Sequence, residues 1–428
     1  MLIEFAVTNY RSFRDRQVLS LVASNRDKTL PDNLIELDLP GLKNTKLVKS
    51  VAVYGANASG KSNLIKAMKF MRDFVEKSAS ELKPGEETGV EPFRLDSQKE
   101  QEPSEFEVIF VHEGVRYQYG FALDKKRVYE EWLIAYPQGQ PQRWFERRFD
   151  PDSGKYDWNF GSKYKGERRS LKDRTRENAL FLSVAAQFNH EQLSMVYQWF
   201  GVFLRFMDFS RSDPSFDGTI RMMLAHKSLY DLVGAMITLA DLGITEIQIQ
   251  EFKPDEIPFP DAMPRDEREK TLRSLGDKKV VDIRMKHCMN GEEKGIYFSL
   301  DEESAGTLKY FSLLGPWLLT LKLGCTICID EIAAKIHPSL VRNLIRYMQS
   351  PKVNLENAQL VLTTHDTTLL DVDLFRRDQI WFTEKNDEGA TVLYPLTDYK
   401  PRPDEALQKG YLAGRYGAIP FLGDFPFK

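Results

Sequence analysis

LVKSVAVYGANASGKSNLIKAMKFM, residues 47–71, decides how the rest of the chain is read. Leu47 to Gly55 is a largely apolar run that ends on a glycine, which predicts a buried strand. Leu64, Met68, Met71 and Val75 then recur at helical spacing, so a helix is expected over 61–79. The turn between them, GANASGKS, matches G-x-x-x-x-G-K-[ST] in the strand-to-helix setting that motif requires. Its chemistry is phosphate binding. Glycines let backbone N–H groups face phosphate oxygens, and the helix N-terminus adds unpaired donors and a positive dipole end. This reading assigns Gly55, Ala56, Asn57, Ala58, Ser59, Gly60, Lys61, Ser62 and Asn63 to ATP. Lys61 would reach the β- and γ-phosphates, and Ser62 would ligate Mg²⁺.

Such a loop calls for an acid at the end of a second buried strand. CTICIDE, residues 325–331, supplies one: an apolar strand from which Asp330 emerges at the carboxyl end, where ligands bind in open α/β sheets. Asp330 would hold Mg²⁺ through water, and Glu331 would polarise the attacking water. The surrounding CTICIDEIAAKIHP also has the residue types of a zinc site. However, Cys325 and Cys328 are three apart on a strand and face opposite sides of the sheet, and no second C-x-x-C exists. They are read as core, and His337 as a residue at a helix start.

Two further features narrow the class. DEESAGTLKYFSLLGPWLL, beginning at Asp301, places Ser304 and Gly306 before a helix with Leu308, Phe311, Leu314 and Trp317 on one face, a second anion-binding helix start. One nucleotide cannot fill two such sites on one chain, so this one is expected to meet the γ-phosphate held by another protomer. LVLTTHD ends a third buried strand at His365, 35 residues after Asp330, where an imidazole could contact a γ-phosphate or the attacking water.

The remaining chain divides in pattern. LIEFAVTNYRSF, from Leu2, alternates as a strand; 105–160 holds four short alternating runs, an antiparallel meander; 177–241 reads as helices and 253–279, with Pro254, Pro258, Pro260 and Pro264, as an exposed loop. VVDIRMKHC and GIYFSL form an expected hairpin, and 379–396 a terminal one. The expected fold class is α/β, a P-loop NTPase of ABC-ATPase type with an antiparallel β subdomain and an inserted helical region. Its parts are 1–92 with the phosphate loop, an insertion over 93–300, and 301–428 with the second acid strand. Net charge is −4, which argues against a protein that coats nucleic acid over its whole surface. Three cysteines cannot build a disulfide framework and fit a reducing cytoplasm; no signal peptide or membrane span is visible.

With FAVTNYRSF, GANASGKSNLIKA, DEESAGTLKYFSLLGP, IDEIAAKIHPSL, VLTTHD and GYLAGRYGAIPF, the chain resembles ABC-type ATPases of the RecF/SMC group. It looks more closely like the RloA- and AbiLii-like phage-defence ATPases of bacteria. The resemblance implies a homodimer or higher homo-oligomer with ATP sandwiched between the phosphate loop of one subunit and the signature of the other. It gives Ser304, Gly306 and Thr307 the signature role, His365 the switch role, and Ala334 to His337 the D-loop position. The signature reads SAGT rather than L-S-G-G-Q, Ala333 stands where relatives often carry a polar residue, and PFRLD at 92–96 has no glutamine for a Q-loop.

KYKGERRSLKDRTR, residues 163–176, holds seven basic and two acidic residues. It is either a solvated loop or a patch for nucleic acid or an acidic partner, with Arg168, Arg169 and Arg174 as its contacts. His112, His190, His226 and His287 belong to no motif and are read as structural or exposed. The expected function is an ATP-driven switch or sensor in anti-phage defence or abortive infection. Glu331, Lys61 and His365 would be catalytic. Only 63 residues follow His365, with no carboxylate cluster for a nuclease, so a separate effector nuclease or toxin subunit is expected. The rivals are a RecF-like DNA-binding ATPase of DNA repair and a nucleotide-bound scaffold.

Overall fold

The computed structural model describes residues 1–207, 214–257, 263–275, 280–288 and 295–420. The chain divides into two compact units, one of Met1–Asp208, Thr320–Ala334 and Pro338–Lys428, the other of Phe209–Leu319 and Lys335–His337. Residues 93–207 of the expected insertion therefore lie in the first unit.

The first unit holds a six-stranded sheet in the order Leu204–Met207, Thr326–Ile329, Gln359–Thr363, Ser50–Gly55, Ile380–Lys385, Thr391–Pro395. The first five run parallel and the last turns back antiparallel. Parallel strands are covered on both faces, so they read as unbroken apolar runs. Val51, Ala52, Val53 and Tyr54 are fully buried, as are Ile327, Cys328, Ile329, Leu360, Val361 and Leu362. The helix Lys61–Lys77 starts directly after the phosphate loop and buries Leu64, Met68, Met71 and Val75, the residues its periodicity singled out.

The unit's other sheet has seven antiparallel strands: Lys155–Phe160, Gln142–Asp150, Val128–Tyr136, Val115–Leu123, Ser104–His112, Leu2–Thr8 and Gln17–Ser20. The chain's first strand thus joins the meander, with Val7 opposite Phe106. Phe70 and Phe74 of the loop helix pack against Tyr10, Phe106 and Phe121 of this region. Gln359 ties strand to strand: its amide exchanges hydrogen bonds with the Leu2 backbone at 2.6 and 3.0 Å. Inside the antiparallel sheet Glu131 and Arg147 face each other, both fully buried, at 3.0 Å. Glu131 also accepts from Tyr119 Oη and from the N–H groups of Phe181 and Leu182, which satisfies a charge that burial would otherwise make costly.

The second unit contains the helices Pro214–Ala225 and Lys227–Leu239, most of Ala305–Leu323, and a three-stranded sheet of Ile244–Phe252, Val280–Cys288 and Gly295–Ser299. Pro316 lies inside its helix and cannot donate to the carbonyl four residues back. Thr219 Oγ1 makes up the loss by donating to Ser312 O at 2.9 Å.

The α/β class, the parallel phosphate-loop sheet and the antiparallel meander stand as expected. Three local expectations change. The span 177–241 is not helical throughout: Leu204–Met207 is a strand, because its four residues complete the edge of the parallel sheet beside Thr326–Ile329. A span this short carries too few residues to show a period. The span 253–279 is not all loop, since Arg265–Leu275 is a helix that begins just after Pro264 with Asp266 and Glu267 in its first turn. Pro258 and Pro260 lie outside the described residues, as does Phe421, the last residue of the terminal GYLAGRYGAIPF motif. The apolar run 47–55 divides into Lys46–Val48, paired with Leu34–Glu36, and Ser50–Gly55.

Candidate nucleotide site

The parallel register aligns three strand ends. Ile329 pairs with Leu362 and Thr363 with Val53, so Asp330, the Thr363–His365 segment and Gly55 lie along one carboxyl edge. The phosphate loop occupies that edge under tight steric control. Gly60 caps the helix at φ 115°, in the left-handed region, and a Cβ there would collide with Thr391. Thr391 Oγ1 donates to Ser59 O at 2.8 Å, and Ser59 Oγ and Thr383 Oγ1 share a hydrogen bond of 2.7 Å. Asn63 and Thr391 both bond the Ser12 hydroxyl at 2.8 Å, so the NYRSF turn near the N-terminus braces the loop.

Lys61 is buried, with its ammonium donating to Gly55 O at 2.8 Å and Ala56 O at 2.9 Å. Burial pulls its pKa down, while the charges of Glu331 and Asp330 oppose that pull. The same electrostatics bring together the three charged groups that the two motifs separately nominate.

Thr363 organises the acids. Its hydroxyl donates to Asp330 Oδ1 at 2.5 Å and accepts the Glu331 N–H at 2.9 Å. Its carbonyl accepts Ile332 N–H at 3.3 Å. Glu331 itself has φ 51°, a sparsely populated backbone state for a non-glycine residue, and its side chain is exposed. Strain of this kind persists where surrounding bonds over-determine it, and it gathers at functional positions. His365 is exposed beyond Thr364, whose N–H donates to Val53 O at 3.1 Å and whose hydroxyl accepts Asp366 N–H at 3.0 Å.

Ser304, Gly306 and Thr307 belong to the second unit. Ser304 Oγ accepts Thr307 N–H at 3.1 Å and shares a 2.9 Å bond with its hydroxyl, the geometry of a helix N-cap. A Cβ on Gly306 would lie 2.6 Å from Lys335 O, so glycine is required where this turn packs on the 335–337 loop.

Of the basic run, Arg168, Arg169 and Arg174 are exposed. Arg168 lies 5.5 Å from the Tyr164 ring and 5.6 Å from Phe160, and Arg174 4.6 Å from Phe188. Arg176 is structural, donating to the carbonyls of Ser78, Ala79 and Leu82. Cys325 and Cys328 are fully buried core residues, and burial pushes both thiols up.

Sequence reasoning did not assign the supporting groups. Thr363 lies inside the quoted LVLTTHD and Ser12 inside NYRSF, so a polar residue in an otherwise apolar strand end could have marked the first. Thr383 and Thr391 carry no motif at all.

A strand–loop–helix phosphate cradle with paired acids at the end of another parallel strand, one strand removed, defines a P-loop ATPase. A family model described as "AAA domain, putative AbiEii toxin, Type IV TA system" matches residues 50–371, and the chain belongs to that family. The matched span contains the phosphate loop, Asp330, Glu331 and His365. Among solved structures the chain is similar to an Smc head bound to the C-winged helix domain of ScpA, at 11% identity over 92% of this chain and 97% of that one, with a TM-score of 0.37. No curated protein matches the sequence. Among the described residues no helix is long and apolar enough to cross a membrane.

Proposed function

We propose that the protein is a cytoplasmic ABC-type ATPase that works as an ATP-driven switch in anti-phage defence, paired with a separate nuclease or toxin. The observation that carries the ATPase reading is the buried Lys61 ammonium within the field of Asp330 and Glu331, with the Asp330 carboxylate and the Glu331 backbone both bonded to Thr363. The family description, with its toxin–antitoxin setting, supports the defence role and the effector.

The donor set suits Mg²⁺. A hydroxyl at Ser62 and an oriented carboxylate at Asp330 are hard oxygen ligands, and magnesium is commonly held by one or two such groups together with phosphates and water. When bound it would neutralise phosphate charge. The protein's own groups do the rest. Backbone N–H groups of 55–62 would cradle the phosphates, and Lys61 would exchange its loop carbonyls for phosphate oxygens. Glu331 would orient water for in-line attack, with His365 stabilising charge on the transferring group. Ser304, Gly306 and Thr307 of a second copy would close the site, so that ATP binding drives dimer closure.

Mixing tests the shared site. Lys61→Ala and Ser304→Arg chains should each be inactive alone. Mixed, they should regain turnover, because a heterodimer contains one site with both wild-type elements. Absence of recovery in a mixture shown to form heterodimers would defeat the shared-site reading. DNA-stimulated turnover lost in an Arg168→Glu, Arg169→Glu, Arg174→Glu chain would favour the repair reading, which the exposure of those three arginines supports.

A further inference from the structure

A cavity of about 750 Å³ opens in the first unit on the strands and helices between Tyr117 and Met195, and none of the ATPase residues lines it. Its volume is that of a small-molecule site. Tyr117, Trp144 and Phe188 provide aromatic surface, with Tyr117 and Trp144 meeting edge to face at 5.6 Å. Phe188 is 50% exposed, a large ring left in solvent with the Arg174 guanidinium 4.6 Å above it.

Two buried donors in the wall lack acceptors. Trp144 and His190 are each 8% exposed, and neither Trp144 Nε1 nor His190 Nε2 has a hydrogen-bond partner among the described residues. The Lys165 backbone lies close to the His190 ring and acts to raise its pKa, against the larger effect of burial. The other ring nitrogen, Nδ1, accepts Leu193 N–H at 3.3 Å. In the neutral ring the proton therefore sits on Nε2, which makes it a donor. Burial lowers the His190 pKa and favours that neutral form. Unsatisfied buried donors are costly, and an acceptor supplied by a ligand would remove that cost.

The charges at the cavity are mixed. Lys165 and Arg174 are exposed cations on its wall, beside the acids Glu167 and Glu191. Glu167 already accepts Ser170 N–H at 3.0 Å, and Glu191 stands in the first turn of a helix, where the dipole offsets its charge. The cations have no comparable local compensation from the backbone.

We infer that this cavity binds a nucleoside monophosphate unit: a flat heterocycle stacked at Phe188, base acceptors meeting Trp144 and His190, and a phosphate beside Lys165 and Arg174. Base–aromatic stacking and charge-assisted phosphate contacts are the recurring means of holding such a unit. The unit could come as a free nucleotide or as one residue of a single strand.

The test uses the full chain with Lys61→Ala, to weaken the ATP site, and calorimetric titration with AMP, GMP, CMP, UMP and their nucleosides, and with ten-residue oligo(dT) and oligo(rA). Binding of at least one monophosphate or oligonucleotide is expected. Trp144→Phe should weaken it about three- to tenfold, the worth of one hydrogen bond. Arg174→Gln should weaken the monophosphates while leaving the nucleosides unchanged. Phe188→Ser, at a half-exposed position, gives a second reading should Trp144→Phe misfold. Monophosphate binding with these sensitivities identifies a free nucleotide, and oligonucleotide binding alone identifies a strand. No binding, or binding indifferent to Trp144, Phe188 and Arg174, overturns the inference. In the chain with Lys61 intact, Trp144→Phe should leave ATP turnover unchanged, so failure here is distinct from failure of the ATPase reading.

Discussion

The two sheets of the first unit handle charge in opposite ways. The parallel sheet has no charged residue in its three central strands and gathers charged groups at one carboxyl edge, on turns with positive φ at Ala58 and Glu331. The antiparallel sheet instead holds a carboxylate and a guanidinium in its interior, Glu131 against Arg147, surrounded by donors, acceptors and the rings of Tyr156 and Trp158. Both arrangements require fixed geometry, but for different ends. At the parallel edge Lys61, Asp330 and Glu331 face a place where phosphate charge can enter. In the antiparallel interior the carboxylate and the guanidinium are paired with each other at 3.0 Å. A buried charge is therefore not in itself a mark of function; what it meets decides.

The comparison can be broken at several points, from strong effects to weak. Arg147→Ala leaves Glu131 buried and unpaired, and should cost about 3–5 kcal/mol of stability, read from denaturant unfolding. Replacing both partners together with apolar residues should cost much less; an equal cost would mean the pair is not an isolated ionic unit. Glu331→Gln should leave folding and ATP binding intact and lower turnover about 10²- to 10³-fold, measured by phosphate release. Full turnover in that variant would remove Glu331 from the reaction.

Thr363→Val keeps the strand's shape but deletes the bond to Asp330 and the acceptor for Glu331 N–H. It should lower kcat about tenfold and raise the Mg²⁺ concentration needed for half-maximal rate. A loss of stability with unchanged magnesium dependence would make Thr363 a purely structural residue.

The smallest effect concerns Asp27, where burial acts to raise the pKa, but hydrogen bonds from Arg377 and Thr29 outweigh it and hold the carboxyl well below its usual range. A depressed carboxylate stabilises the fold above its unfolded pKa of about 4 and loses that contribution as pH falls toward the folded value. The melting temperature of Asp27→Asn should therefore lie below that of the parent at pH 7, and the gap should narrow below about pH 4. A gap constant with pH would assign the effect to packing alone.

Much of the site was legible in the chain because its motifs are local. GANASGKS encodes a loop conformation and a helix start within eight residues, and CTICIDE encodes a strand with acids at its end. Their meeting could be expected from strand order at a carboxyl edge, without a structure. The edge strand Leu204–Met207 was not legible, since four residues between helices become a strand only through the neighbour they pair with. The same holds for the Glu131–Arg147 pair, whose partners are sixteen residues apart and meet through strand register.

The sequence by itself determined the phosphate loop, the acid strand and the α/β class, because glycine placement, apolar runs and period act over a few residues. Only the tertiary structure decided that the first strand belongs to the antiparallel sheet and that Thr363 bonds the Asp330 carboxylate and the Glu331 backbone. It also decided that Ser12 and Thr391 brace the loop, and that Trp144 and His190 line one cavity. Those depend on strand pairing and side-chain reach between residues tens to hundreds of positions apart, which local propensity does not encode.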